Sequence, residues 1–192
     1  MSRIILAGAL ALSFAAPALA QQAAPATGVP LGGPAIAGVC LISQPAVFAN
    51  SKAGQAALAR LKQLSDQAQA EIDAERAPIE AEAKAIDAQT KLKPADKAAK
   101  TQALSVRLAA LQQKANLRSR EIEATRLKAL SRIGTEETPI IEQVYKAHGC
   151  GLLFDRASVL GGNMSGDLTA DVVKGLDGRI TTITFERETL PG

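Results

Sequence analysis

A stretch of about a hundred residues with helical periodicity, 52–148, lies between two short apolar segments. The first segment, 36–42, is a continuous apolar run that ends before Gln44-Pro45, which is typical of a buried strand. The second segment, 150–154, follows the helical stretch, and 157–160 is a candidate third strand. We therefore predict an α+β fold in which one small sheet joins the two ends of a long antiparallel helical hairpin.

The helical stretch carries a thin, coiled-coil-like apolar stripe. Ile72, Ile79 and Ile86 recur at seven-residue spacing, which is the period of a helix that packs lengthwise on a partner helix. Pro94 suits the first turn of a new helix, so the chain is predicted to reverse near 90–96. Arms of roughly 40–50 residues would reach about 60–75 Å. The remaining predicted seam positions are Leu58, Leu61, Leu64, Ala68, Ala83, Leu104, Leu108, Leu111, Ala115, Ile122, Leu127, Leu130, Ile133, Ile140, Ile141 and Val144.

Several residues predict where helices begin, bend and end. Asn50 or Ser51 is expected to cap the first long helix, and Gly149 to stop the second. Pro78 and the pair Gly134 and Pro139 are expected to kink the arms, because proline removes one backbone hydrogen bond and clashes one turn back. Such kinks would let the arms flex.

The C-terminal region predicts a loop, a short helix and a last strand. The loop is 161–166, and Asp167 or Thr169 is expected to cap a helix that ends at Gly178. Residues 180–185 alternate Ile or Phe with Thr, which favours an edge strand.

The N-terminal residues 1–20 have the pattern of a secretory signal peptide. Arg3 precedes an apolar stretch, 4–15, and Ala18-Leu19-Ala20 matches an A-x-A cleavage site, so cleavage is expected after Ala20. The apolar stretch is too short to span a bilayer. Residues 21–35 are rich in Pro, Ala and Gly and are predicted to be a disordered lead-in. The mature protein is therefore expected in the bacterial periplasm.

The composition excludes several functional classes. The formal net charge is only +3, and no nucleic-acid-binding motif occurs, so a nucleic-acid partner is not expected. No phosphate-binding loop and no nucleophile with a partner base is present, so we expect neither a catalytic residue nor a cofactor. Trp is absent and aromatic residues are few, so a single chain has little with which to build a large core, and subunit contacts are expected.

Two cysteines lie in the predicted mature chain, Cys40 in the first strand and Cys150 at the start of the second. An oxidising compartment favours a disulfide between them if the hairpin brings the strands together. The alternative is a pair of buried free thiols or of cysteines that face apart. A metal site formed with His148 would lack a fourth ligand, and His148 is instead expected at a helix C-terminus, where the dipole favours it.

Four lysines, Lys91, Lys93, Lys97 and Lys100, cluster at the predicted hairpin tip with Asp96 as the only acid among them. A cluster of this kind suits contact with an anionic lipid surface or an acidic client patch. The alternative interpretation is a solvated turn.

Three blocks of this sequence resemble the OmpH/Skp family of periplasmic chaperones. The first is Cys40-Leu41-Ile42-Ser43, followed by Pro45-Ala46-Val47-Phe48 and Ser51-Lys52-Ala53-Gly54; the second is Leu152-Leu153-Phe154-Asp155; the third and most specific is Asp167-Leu168-Thr169-Ala170-Asp171-Val172-Val173-Lys174. The resemblance covers 36–178, with a body of 36–50 and 150–178 and an arm of 51–149. Ser43, where the family usually has Asn or Asp, the two cysteines and the tail 179–192 depart from the family pattern.

The resemblance implies a homotrimer in which the strands form a trimerisation body and three helical arms enclose a cavity. It also implies that unfolded outer-membrane proteins are held without ATP, with contacts spread over the inner arm faces; lipopolysaccharide is a further candidate partner. The principal alternative is a structural or adaptor hairpin of a cell-envelope complex, and a further alternative is a surface or cell-wall binding module.

Overall fold

The computed structural model describes residues 29–191. The predicted signal peptide and the first part of the predicted lead-in, 21–28, lie outside the described residues. In chain order the elements are β1 (Val29–Pro30), β2 (Val39–Ile42), α1 (Gln44–Asn50), α2 (Lys52–Ala88), α3 (Pro94–Ala147), β3 (Leu152–Asp155), β4 (Gly161–Gly162) and α4 (Thr169–Arg179). No helix in this part of the chain is both long enough and apolar enough to cross a membrane.

The two ends of the helical hairpin meet in a parallel strand pair. β2 and β3 pair from Val39 with Leu152 to Ile42 with Asp155, and β1 pairs with β4 over two residues. Parallel strands need a long crossover connection, and here the whole α2–α3 hairpin is that connection. The α+β fold with a long helical arm is confirmed. Three corrections apply to the strands. Val29–Pro30 and Gly161–Gly162, predicted to lie in a disordered lead-in and in a loop, form the β1–β4 pair. β2 begins at Val39 instead of residue 36, and 157–160 is not a strand, because Arg156–Ser158 forms a 3₁₀ turn in which the Ala157 N–H donates to the Asp155 carboxylate (2.9 Å).

The arm is an antiparallel pair of long helices. Ile72, Ile79 and Ile86 of α2 are buried against Leu104 and Leu111 of α3, as the seven-residue spacing predicts. The chain reverses over residues 89–93, and α3 alone has 54 residues, about 80 Å at 1.5 Å per residue.

Neither proline breaks its helix. α2 continues as one helix through Pro78, and α3 through Gly134 and Pro139, so the residues at which kinks were expected do not end either helix. Both prolines are solvent-exposed. Water can therefore satisfy the carbonyl group that each proline leaves without its helical partner.

Part of the predicted seam is also wrong. Leu58, Leu108 and Leu127 are exposed, whereas Glu121 and Glu137 occupy buried positions on α3. The lower half of α3 turns a different face inward, because the body and the C-terminal tail pack on it as well as α2.

The body packs around α4 and the first turns of α2. Ser51 caps α2 through a hydrogen bond from the Gly54 N–H (3.1 Å), and α4 buries the face that contains Leu168, Val172 and Leu176. α4 ends at Arg179, one residue beyond the predicted stop. The buried cluster comprises Cys40, Ile42, Val47, Ala53, Ala57, Ile133, Ile140, Leu168, Val172 and Leu176.

Residues 180–191, which we call the tail, form no strand among the described residues, so the predicted edge strand at 180–185 is wrong. The tail instead extends along α2 and α3, with Ile180, Ile183 and Phe185 packed against the body cluster. Alternation of apolar and polar residues indicates an extended chain with one buried face, and the buried face here rests on helices.

Candidate functional site

The tip lysines lie together at the end of the arm, and all four are exposed. Lys97 Nζ is 3.2 Å from the Asp87 carboxylate across the turn. Within the described residues, Lys91, Lys93 and Lys100 have no carboxylate within ion-pair distance. The end of the arm is therefore a small, solvated, positively charged surface.

Cys40 and Cys150 meet at the junction of β2 and β3 in disulfide geometry, with Cα atoms 5.8 Å apart. Gly149 has φ of +64°, so the chain turns out of α3 directly into this junction. His148 caps the C-terminus of α3, as expected, and its Nε2 is 2.9 Å from Asp171 Oδ2 at the start of α4. Among residues 29–191 no three candidate ligands converge as a metal site would require.

The block Asp167-Leu168-Thr169 joins β2 to α4. Thr169 Oγ1 accepts a buried hydrogen bond from the Ser43 N–H (3.0 Å), and Asp167 Oδ1 accepts one from the Thr169 N–H (3.0 Å). Arg156 also donates to Asp167 (2.9 Å). The main chain of Leu41 pairs with this block, so the residues that carry the family resemblance fasten the body at the end of β2.

Gly54 lies where α1 passes closest to α2. A Cβ at this position would be 1.7 Å from the Phe48 carbonyl oxygen, which no side chain permits. The glycine at the entry of the long helix therefore allows the two helix segments to touch.

Large apolar side chains are exposed around the two strand pairs of the body. Leu31 (74% exposed) and Leu160 (96%) flank the β1–β4 pair, and Ile36 is 72% exposed. Leu152 and Phe154 of β3 are also exposed. Ile36 and Phe154 line an open cleft of about 540 Å³. We call these five side chains the apolar body surface; clusters of exposed apolar side chains are typical of interaction sites.

The arm carries a second set of exposed apolar side chains: Leu58, Val106, Leu108 and Leu127. The three alanines predicted as seam positions are not part of this exposed set, because Ala68 is buried and Ala83 and Ala115 pack against the isoleucines of the seam.

Side chains of the arm bind the main chain of the tail. These hydrogen bonds run from Arg132 to the Thr184 carbonyl (2.7 Å), from Arg60 to the Phe185 carbonyl (3.3 Å), from the Glu188 N–H to Thr125 Oγ1 (2.9 Å) and from the Leu190 N–H to Glu121 Oε1 (3.3 Å). The tail thus rises along the lower arm and covers a surface between α2 and α3, which we call the basal groove.

Four charged side chains close the upper part of the groove. Arg118 contacts Glu71 and Glu121 at 2.8 Å each, and Arg187 of the tail is 3.0 Å from Glu71 and 3.4 Å from Glu121. Burial opposes ionisation of Glu71, but the hydrogen bonds from both arginines outweigh it and lower its pKa below the ordinary value of 4.5. The side chain of Glu121 is almost fully buried, and these two arginines are its ionic partners.

Glu137 is a buried carboxyl of a different kind. Glu137 is only 5% exposed, and its Oε1 has no hydrogen-bond partner among the described residues. Burial alone raises the pKa of Glu137 to about 7. Sequence analysis missed the groove, the charge cluster and Glu137. The only sequence signal of these features was that Glu121 and Glu137 fall among the apolar positions of α3. Taken alone, two glutamates on a helix suggest a solvated face.

These features define a class of protein in which a small α+β body projects one long helical hairpin. The chain belongs to the OmpH-like outer membrane protein family, because the model of that family matches residues 38–176. The resemblance in the three sequence blocks is thus confirmed.

A crystal structure of a candidate OmpH-like outer membrane chaperone from Caulobacter crescentus CB15 is similar to this chain, with 43% sequence identity and a TM-score of 0.73. The similarity covers 82% of this chain and 94% of that one. No curated protein matches the sequence.

Proposed function

We propose that the protein is an ATP-independent holdase chaperone of the periplasm, which binds unfolded outer-membrane proteins and prevents their aggregation in transit. Family membership and the similarity to a candidate outer membrane chaperone support a chaperone-like role. The observation that carries the proposal is the long arm with scattered exposed apolar residues, since many weak contacts suit clients of varied sequence.

The proposed chaperone domain is 36–178, with the body at 36–50 and 150–178 and the arm at 51–149. Export by the signal peptide, with cleavage after Ala20, would deliver it to the periplasm. We also propose that Cys40 and Cys150 form a disulfide there, and that the tip lysines contact anionic lipid surfaces, including lipopolysaccharide.

The active form in this proposal is a homotrimer. A single chain leaves the apolar body surface exposed beside two short two-stranded sheets, and contact with two further copies would cover it. The change Leu160→Glu should then convert the trimer to monomers in sedimentation velocity. Leu127→Glu, the same change at an exposed leucine of the arm, should leave the trimer intact; a trimer that survives Leu160→Glu would refute this interface.

The holdase activity is tested by aggregation. A urea-unfolded outer-membrane β-barrel protein is diluted out of urea with and without the mature protein, and light scattering is followed without nucleotide. We expect suppression near one trimer per client. A folded sample that suppresses nothing would refute the proposal and favour the structural hairpin.

A further inference from the structure

We propose that the basal groove is a binding site for extended segments of unfolded client and that the tail fills it in cis until a client displaces it. This inference rests on the proposed holdase function and names the site and the kind of segment it takes. The tail occupies the groove in the way a client segment would, since it is an extended chain that lies between α2 and α3.

The groove recognises the main chain. Arg60 and Arg132 donate to tail carbonyl groups, and Thr125 Oγ1 and Glu121 Oε1 accept from tail N–H groups. Every extended polypeptide presents the same carbonyl and N–H groups, so these four contacts do not require the sequence of the tail. A client segment in the same conformation can make all of them.

The side-chain pattern of the tail identifies the chemical class of client. Ile183 and Phe185 pack against the body cluster. Thr182, which precedes Ile183, and Thr184, which lies between the two apolar residues, are exposed. Transmembrane β-strands alternate apolar and polar residues with the same period of two. An unfolded outer-membrane protein therefore consists largely of segments that match the groove in both main chain and side chains.

The attachment of the tail suits displacement. Its outer contacts include two ion pairs at the rim, Glu186 with Arg60 (2.6 Å) and Glu188 with Lys128 (2.7 Å), and in each pair one partner is exposed. Exposed pairs of this kind each stabilise by about 1 kcal/mol or less. Arg187 leaves Glu71 and Glu121 together with this part of the tail, but Arg118 stays 2.8 Å from each of the two carboxylates. The part beyond Phe185 can therefore leave first without unfolding the body, after which apolar side chains of a client replace Ile183 and Phe185.

Photo-crosslinking in the full-length mature protein tests the exchange directly. A benzophenone amino acid replaces Lys128 at the rim of the groove or, as a control, Arg126, which pairs with Glu123 on the arm surface. Without client, position 128 should crosslink to the tail. With a saturating unfolded outer-membrane protein, the tail crosslink should fall and a client crosslink should replace it at 128, whereas position 126 should show no such exchange. A tail crosslink at 128 that persists while the client is held would overturn the inference.

A shortened chain tests the competition. Removal of 186–192 keeps Ile183 and Phe185 on the body and frees the upper groove. If the tail competes with clients, the shortened trimer should bind the same client with a Kd roughly threefold lower or better. An unchanged or higher Kd, in a shortened trimer shown to be folded, would overturn the inference. If the full-length protein suppresses no aggregation, the holdase proposal fails; if it suppresses aggregation with an undisplaced tail, only the groove assignment fails.

Discussion

Replacing the buried Glu137 by glutamine should raise the free energy of unfolding of the protein when stability is measured at alkaline pH. Glu137 lies on α3 between the buried residues Ile133 and Ile140, and burial raises its pKa from the ordinary 4.5 to about 7. In Glu137→Gln the amide keeps the shape of the side chain but has no ionised form. The variant therefore removes the cost of a buried charge and little else.

The sign follows from proton binding. Between pH 4.5 and about 7 the folded chain keeps the Glu137 proton that the unfolded chain has lost, so the stability of the wild type falls as the pH rises through this range. Each pH unit corresponds to about 1.4 kcal/mol, so the whole interval amounts to about 3 kcal/mol. Glu137→Gln should match the wild type near pH 4.5 and exceed its free energy of unfolding by up to about 3 kcal/mol at pH 8.

The measurement is urea unfolding followed by circular dichroism at several pH values, at one fixed protein concentration because an oligomer unfolds in a concentration-dependent way. The matched control is Glu136→Gln, the neighbouring residue, which pairs with Arg179 at the surface (2.6 Å) and should change stability by less than about 1 kcal/mol at every pH. Equal pH dependence in wild type and Glu137→Gln would refute the reasoning.

Three further predictions concern other parts of the chain. Replacing Cys40 and Cys150 by serine should lower the free energy of unfolding by about 2–4 kcal/mol in urea unfolding, because the proposed bond closes a loop of 110 residues. As a control, reductant should lower the free energy of unfolding of the wild type by the same amount. Gly54→Ala should cost about 1–3 kcal/mol, whereas Gly134→Ala, whose Cβ meets no atom within 4 Å, should be neutral or stabilising in the same assay. Changing the tip lysines to glutamate should abolish low-salt binding to anionic vesicles and spare neutral ones; unchanged vesicle binding would contradict the proposed lipid contact.

The features that could be predicted from the sequence are those that neighbouring residues decide. The isoleucines at seven-residue spacing lie in the seam, Ser51 caps α2 and Pro94 begins α3. Period, capping and proline geometry each act within a few residues, so the local sequence is sufficient to define them.

The features that sequence analysis missed depend on contacts between distant residues. Leu127 belongs to the same predicted apolar stripe of α3 as Ile133, and only the position of the body and tail decides that Ile133 is buried and Leu127 is exposed. Glu121 is buried because Arg118 and Arg187, the latter 66 positions away in the sequence, supply its charge partners. Periodicity alone indicates neither a buried ion network nor an extended tail packed on helices.

The long crossover explains why so many contacts join the two ends of the hairpin at the base of the arm. The parallel pair of β2 and β3 joins four residues on each side across the whole hairpin. Closing such a crossover costs about 2 kcal/mol more in chain entropy than closing one of about a dozen residues. Four residue pairs alone hold an arm of about 80 Å only weakly. The Ser43–Thr169 hydrogen bond, the Cys40–Cys150 junction and the tail all bridge the two ends of the hairpin at its base or along its lower part. The structure therefore concentrates its long-range contacts at the base, whereas among the described residues the upper arm is held by its own seam and by surface ion pairs.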